Sequence, residues 1–207
     1  MFGISPFFPT QLRVSELEWQ FDLFVSRVGC SGAKDQLACL RSQNSTTLQT
    51  ANVGMPYPGR TQNSLFPFTP TIDGEFLIDF PYRLFEEGRF VKVPSIFGYV
   101  TRALIIFPPP HNSCVNSDDT DEGTIFAANA STPADVTSFM LDNFPQLSAN
   151  DTRIINELYP LQTPNPFLNH APFFASASAA YGETTFVCPG LIMSAAIEKK
   201  TSSWNYR

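Results

Sequence analysis

The chain is short of basic residues and of long apolar runs, and each shortage excludes a class of function. Its 207 residues contain 13 Lys and Arg against 19 Asp and Glu, so the net charge is −6. Without a basic cluster, nucleic acid and anionic membrane surfaces are poor partners. No apolar run reaches the roughly 20 residues of a transmembrane segment. Residues 1–6 lack the basic and apolar regions of a signal peptide.

Histidine and cysteine are too scarce and too scattered to indicate a metal site. There are two histidines, His111 and His170, and four cysteines, without the spacing of zinc ligands. A glycine loop that could hold a phosphate is also missing. We therefore expect no metal and no cofactor. A lone histidine among apolar residues, such as His170, is more often structural or exposed than catalytic.

The strand–turn–helix pattern Gly-x-Ser-x-Gly of serine hydrolases does not occur in the chain. The nearest imitation is Gly29-Cys30-Ser31-Gly32-Ala33, which follows a predicted helix and not a strand. We do not expect Ser31 to be a nucleophile, because such a motif outside its structural context is usually accidental.

The residues that are abundant indicate a folded domain. The chain is 43% hydrophobic and contains 20 Phe and 18 Pro, which suits one domain with a substantial core. The short, largely apolar run at Val93–Gly98 predicts a strand that helices cover on both faces. A second strand is predicted to begin at Trp204–Tyr206.

Helix periodicity and capping signals predict a first helix that begins at Ser15, with Glu18 in a capping box, and ends at Gly29; its apolar face, which includes Leu17, Phe21 and Phe24, is expected to be ordinary core. Further helices are predicted over 34–43 (Leu37 and Leu40 facing inward), from a cap at Ser45 or Thr46, over 81–87 with Gly88 closing it, over 132–143 and 151–159, and from Thr184 or Thr185 to Lys199. Asp73-Gly74 predicts a turn.

One acidic stretch is arranged for chemistry. Asp118-Asp119-Thr120-Asp121-Glu122 runs into Gly123-Thr124 and an apolar pair. A carboxylate after a strand, in a tight glycine turn, suits the acid of a hydrolase triad, which holds the histidine in its reactive tautomer. The alternative is an acidic helix cap, and the residues alone favour that alternative.

Further motifs occur along the chain in the order that one family shows. They are Ser5-Pro6-Phe7-Phe8-Pro9, Cys39-Leu40-Arg41, Pro70-Thr71-Ile72-Asp73-Gly74-Glu75-Phe76, Gly88 to Pro94, Asp121-Glu122-Gly123-Thr124, Phe186-Val187-Cys188-Pro189 and Trp204-Asn205-Tyr206. With these motifs the chain resembles the type B carboxylesterase family, which includes fungal lipases and cholinesterases. The resemblance covers nearly all of the chain except residues 99–117.

The resemblance implies the α/β class. We expect a single partial domain over 1–207, an incomplete, helix-rich α/β-hydrolase fold with a strand leading to the triad acid. Glu122 would be that acid in a serine enzyme that hydrolyses ester or lipid substrates. The family's nucleophile and triad histidine would lie outside this chain, so the chain alone is expected to be inactive. The alternative is a non-catalytic, cholinesterase-like binding or adhesion protein.

The resemblance also implies a disulfide between Cys30 and Cys39. Their position, at the end of one predicted helix and in the next, can bring the two Cα atoms within bridging distance. The alternative is two buried thiols, because free cysteine is commonly buried. Asn44, Asn129 and Asn150 begin Asn-x-Ser/Thr triplets and are candidate glycosylation sites. Together these features predict an extracellular parent protein. Since no signal peptide is seen, we expect that Met1 is not the natural start.

Residues 99–117 interrupt the family pattern. Without these 19 residues, Ile96-Phe97-Gly98 would run directly into the acidic block. Gly98-Tyr99-Val100 can be encoded across GTATGT, a common fungal intron start. We interpret the segment as a translated, unspliced intron, and the alternative is a genuine loop insertion, which a surface position tolerates at small entropic cost.

Overall fold

The structure is a computed structural model that describes residues 2–4, 11–98 and 126–206. Glu122, His111 and the suspected insertion at 99–117 lie outside the described residues. The chain divides into two compact units, a sheet unit of residues 1–10 and 79–207 and a helical unit of residues 11–78. Among the described helices, none is long and apolar enough to cross a membrane.

The helical unit contains three helices followed by irregular chain. They are α1 (Val14–Arg27), α2 (Gln36–Ser42) and α3 (Ser45–Ala51). Val25, Cys30 and Leu40 form its buried cluster. Gly29 follows α1 with φ +77°, a left-handed conformation that glycine adopts without steric cost, and it ends the helix as predicted.

Two of the predicted helix caps are wrong by one or two positions. At the start of α1, the Arg13 backbone N–H donates to Glu16 Oε2 at 2.8 Å, so Glu16 and not Glu18 caps the first turn. At the start of α3, Asn44 Oδ1 accepts the Thr47 N–H at 2.7 Å. Asn44 comes before both predicted caps and has the extended backbone that an N-cap requires, so it starts the helix first.

The inward orientation predicted for Leu37 is also wrong, because 48% of this residue is exposed. Leu40 is buried, and Cys39 packs against the same cluster. The side of α2 that carries Cys39 and Leu40 therefore faces inward. Leu37 lies two residues before Cys39, about 200° around the helix, and so points away from the cluster.

A carboxylate organises the turn near the end of the helical unit. Asp73 Oδ1 accepts the backbone N–H groups of Glu75, Phe76 and Leu77 at 3.0, 2.9 and 3.0 Å. Gly74 has φ +80°, which confirms the predicted Asp-Gly turn. These backbone hydrogen bonds, the one from Glu75 first, lower the pKa of Asp73.

The described strands of the sheet unit form a parallel sheet in the order β1 (Phe2–Ile4), β2 (Ser95–Gly98) and β3 (Ser203–Tyr206). Ile96 pairs with Phe2 on one side and with Trp204 on the other. Both predicted strands are confirmed, but β2 begins at Ser95, after Pro94, which has no N–H to donate to a ladder. The carboxyl ends of all three strands lie at one edge of the sheet.

Five helices are described in the sheet unit. They are α4 (Pro81–Glu86), α5 (Pro133–Asn143), α6 (Ala149–Leu158), α7 (Phe174–Gly182) and α8 (Cys188–Glu198), with a π-helical segment, Glu183–Val187, between the last two. Thr132 caps α5 as predicted. Ser148 caps α6, which begins at Ala149, two residues before its predicted start at Asp151.

The prediction that the last helix begins near Thr184 is wrong. Helical backbone starts at Phe174 and continues through the π-helical segment. An N-cap needs extended backbone, whereas Glu183, the residue before Thr184, is helical, with φ −66° and ψ −46°. Burial of the whole of α7, an Ala-rich stretch with high helix propensity, accounts for the earlier start.

Candidate functional site

The predicted acid follows the carboxyl end of β2 in the chain. Gly98 is the last residue of β2, and in open α/β sheets ligands bind beyond the carboxyl ends of the strands. Because Glu122 lies outside the described residues, its role as the triad acid remains a prediction.

Four residues after Glu122, Phe126 joins a buried aromatic cluster. Its ring is parallel to that of Phe186 at a centroid distance of 6.3 Å and meets the edge of Tyr181 at 6.4 Å. Tyr181 also contacts Phe139 at 5.4 Å. Burial raises the pKa of Tyr181 to about 12. The cluster anchors the chain just downstream of the acidic block.

A buried carboxyl group, Glu183, was missed in the sequence. It begins the π-helical segment, a feature that often occurs at functional sites, and only 8% of the residue is exposed. The Tyr159 hydroxyl donates to Glu183 Oε2 at 2.6 Å. Burial raises the pKa of this carboxyl group. The available signal was an acidic residue within an otherwise apolar, Ala-rich helical stretch.

His170 and Ser31, which the sequence does not favour as catalytic residues, occupy ordinary positions in the structure. His170 is exposed, and its ring stacks on Phe174 at 3.8 Å. Ser31 is exposed and follows α1, so it does not lie in a strand–turn–helix elbow. Neither arrangement indicates a catalytic role.

Cys30 and Cys39 form the disulfide that the resemblance implied. Their Cα atoms are 5.8 Å apart, and the bond links the end of α1 to α2. Cys30 is fully buried, so the bond is part of the core of the helical unit.

The three candidate glycosylation residues are exposed. The side-chain oxygen of each accepts a hydrogen bond, Asn44 from the Thr47 N–H, Asn129 from the Ala171 N–H and Asn150 from Arg153. A glycan attaches to the side-chain nitrogen, so these bonds are compatible with glycosylation. Attachment of a glycan stays a prediction.

The helical unit contains an apolar groove of about 600 Å³. Leu17, Phe21 and Phe24 line it from α1, Leu48 lines it from α3, and Phe68 lines it from the irregular segment. The α1 residues were predicted to be ordinary core. In the structure, 38% of Phe21 and 63% of Phe68 are exposed, so this face is open.

Comparison with known proteins places the chain in a family. The sequence profile described as carboxylesterase family matches residues 6–207. Lipase 2 of Geotrichum candidum is 30% identical over 90% of this chain and 32% of its own length. Secreted lipase 1 of Botryotinia fuckeliana is 29% identical over 90% of this chain and 32% of its own length.

A solved structure agrees with these sequences. Aspergillus niger EstA superimposes with a TM-score of 0.85 and 40% identity, over 100% of this chain and 37% of its own. The chain thus spans about a third of the length of the relatives it matches. The predicted α/β class and the incomplete α/β-hydrolase fold are confirmed. The chain belongs to the carboxylesterase family.

Proposed function

We propose that this chain forms the acid-bearing part of a serine carboxylic ester hydrolase that acts on ester or lipid substrates. The observation that carries the proposal is the family match over residues 6–207. The sequence Asp121-Glu122-Gly123-Thr124 resembles the acid motif of that family and supports the assignment of Glu122. Glu122 would accept a hydrogen bond from the triad histidine, hold its tautomer and stabilise the imidazolium that forms during acyl transfer.

The chain by itself is proposed to be inactive. It contains no Gly-x-Ser-x-Gly sequence, and neither His111 nor His170 lies in the family's histidine motif. Without a nucleophile and a base there is no route to an acyl-enzyme. Glu122 would then have no partner to orient.

We also propose that the parent protein is extracellular. The Botryotinia fuckeliana relative is described as a secreted lipase. The Cys30–Cys39 disulfide is typical of an oxidising compartment. Three exposed Asn-x-Ser/Thr sites are consistent with secretion.

The test of the acid uses a full-length protein. We expect the chain alone to hydrolyse p-nitrophenyl butyrate no faster than buffer does. In a full-length carboxylesterase containing this chain without residues 99–117, Glu122→Gln should lower kcat by about 10⁴-fold, by analogy with a serine protease acid. Asp121→Asn is the matched control and should lower kcat far less.

Two outcomes would reject the assignment. One is a full-length enzyme that tolerates Glu122→Gln but is crippled by Asp121→Asn. The other is an inactive full-length protein whose elbow lacks serine, which would favour the non-catalytic binding alternative. The intron hypothesis for residues 99–117 has a separate test. Sequencing of cDNA across this segment should show it removed from the main transcript.

A further inference from the structure

A pair of stacked rings, His170 on Phe174, lies at the surface of the sheet unit. The two rings are nearly parallel, with an interplanar angle of 16° and a centroid distance of 3.8 Å. The ring of Phe167 is roughly perpendicular to both and fixes them from the side, at 6.0 Å from His170 and 5.1 Å from Phe174. Phe174 is buried, whereas His170 is exposed. One face of the imidazole is therefore packed on the protein, and the other is open.

The candidate glycosylation residue Asn129 lies next to this imidazole. Its side-chain oxygen accepts the Ala171 N–H at 2.7 Å, and the carbonyl oxygen of Ala130 accepts the Phe173 N–H at 3.0 Å. These two bonds hold Asn129 beside the peptide group that joins His170 to Ala171. Nδ2 of Asn129, where a glycan attaches, lies within about 8 Å of the His170 Cα, as that hydrogen bond and standard bond lengths require. A first sugar on Nδ2 can therefore reach the open face of the imidazole.

A sugar ring has the chemistry to cover this face. The C–H bonds on one side of a pyranose carry a small positive charge, and the face of an aromatic ring is negative. Their contact also removes apolar surface from water. The other two candidate sites are placed differently, because Asn44 and Asn150 bond to residues of their own helices, α3 and α6. The side chain of Asn129 is fixed instead by a residue 42 positions later in the chain.

We propose that the first N-acetylglucosamine of a glycan on Asn129 stacks on the open face of His170. The stacked rings are then a docking surface for the protein's own glycan, which joins the segment at Asn129 to the segment at His170 and stabilises the sheet unit. This inference rests on the proposed secretion of the protein, because such glycans are added in the secretory pathway. It does not depend on ester hydrolysis.

The test uses the chain secreted from a yeast host, with the occupancy of Asn129 measured by peptide mass. Ser131→Ala removes the acceptor sequence and leaves the Asn129 side chain unchanged. Ser131 is exposed, and the group that bonds to Asp135 is its backbone N–H, which alanine keeps. Loss of the stacked sugar should lower Tm by about 2–4 °C. Thr46→Ala removes the acceptor sequence of Asn44 at another exposed position and is the matched control.

Two variants of His170 show whether the imidazole is responsible. In the His170→Ala background, Ser131→Ala should change Tm by less than about 1 °C, because the sugar has already lost its ring. In the His170→Tyr background, which retains a flat ring, the shift of about 2–4 °C should return. The effect of Thr46→Ala should be the same in all three backgrounds. In NMR spectra, protons of the first sugar should move upfield in the unaltered chain and not in His170→Ala, since an aromatic ring shields protons above its face.

Two results would overturn the proposal, and they are distinguishable. If Asn129 carries a glycan but Ser131→Ala lowers Tm equally with and without His170→Ala, the stacking is absent while the secretory interpretation stands. If Asn129 of the secreted chain is unmodified, the proposal fails together with the predicted glycosylation of this residue.

Discussion

Removal of the disulfide should destabilise the helical unit by an amount that can be worked out from the structure. The bond joins Cys30 and Cys39, which are nine residues apart. In the chain-entropy model, closing a loop of that length stabilises the folded state by about 2.5 kcal/mol. The double variant Cys30→Ala, Cys39→Ala should lose about that much free energy of unfolding.

The replacement residue should matter because Cys30 is fully buried beside Val25 and Leu40. Serine at position 30 would bury a hydroxyl group among apolar side chains. Gln43 Nε2 donates to the Cys30 sulfur at 3.8 Å, a distance too long to satisfy the shorter serine side chain. The double Ser variant should therefore lose about 1–3 kcal/mol more than the double Ala variant.

Urea unfolding followed by tryptophan fluorescence would measure both losses. The chain contains two tryptophans, and Trp19 lies in the helical unit with its ring 5.8 Å from Tyr57. In a Trp204→Phe background the signal reports on the helical unit alone. A reducing agent should shift the unaltered chain to the midpoint of the double Ala variant, while Cys188→Ala should leave the midpoint unchanged. A midpoint insensitive to both reduction and the double Ala change would refute the reasoning.

Further predictions concern other described residues. Burial raises the pKa of Glu183 in the folded state, so ionisation of this carboxyl group lowers stability once the pH rises above the pKa of the unfolded state. Glu183→Gln should therefore raise Tm at pH 7 and change it little at pH 4. Tyr181→Ala should cost about 3–5 kcal/mol in unfolding experiments, whereas Tyr181→Phe should cost under about 1.5 kcal/mol, because the aromatic contacts remain. Asn44→Ala should cost about 1 kcal/mol through loss of the α3 cap, and Asn44→Asp should retain most of that stability. Enzymatic deglycosylation of the secreted protein should lower the mass of the peptides that contain Asn44, Asn129 and Asn150. A peptide map in which all three residues are unmodified would contradict the secretory interpretation.

Local signals in the sequence were enough to predict much of the backbone. The strand was predicted over 93–98 from its apolar run and is present over 95–98. The turn at Asp73-Gly74 and the helix ends at Gly29 and Gly88 each depend on conformations set by one or two residues. Glycine reaches positive φ without steric cost, so these ends can be predicted without knowledge of the fold.

The order of the motifs along the chain was also enough to indicate the family, and therefore the α/β-hydrolase fold and the predicted role of Glu122. No argument from a single segment could do this. Among the residues alone, the acidic block was more readily interpreted as a helix cap.

Tertiary structure decided what each side chain faces. Leu37 and Leu40 have the same spacing signal, but only the side of α2 that carries Cys39 and Leu40 packs against the buried cluster. Glu183 carries no signal of burial in the sequence, yet packing buries it against Tyr159. Gln20 looks like an ordinary polar position on an amphipathic helix, but the residue is buried and its Nε2 donates to the Pro67 carbonyl oxygen. Periodicity specifies which residues share a face, but burial depends on which other segment meets that face, and this contact is made between residues far apart in the chain.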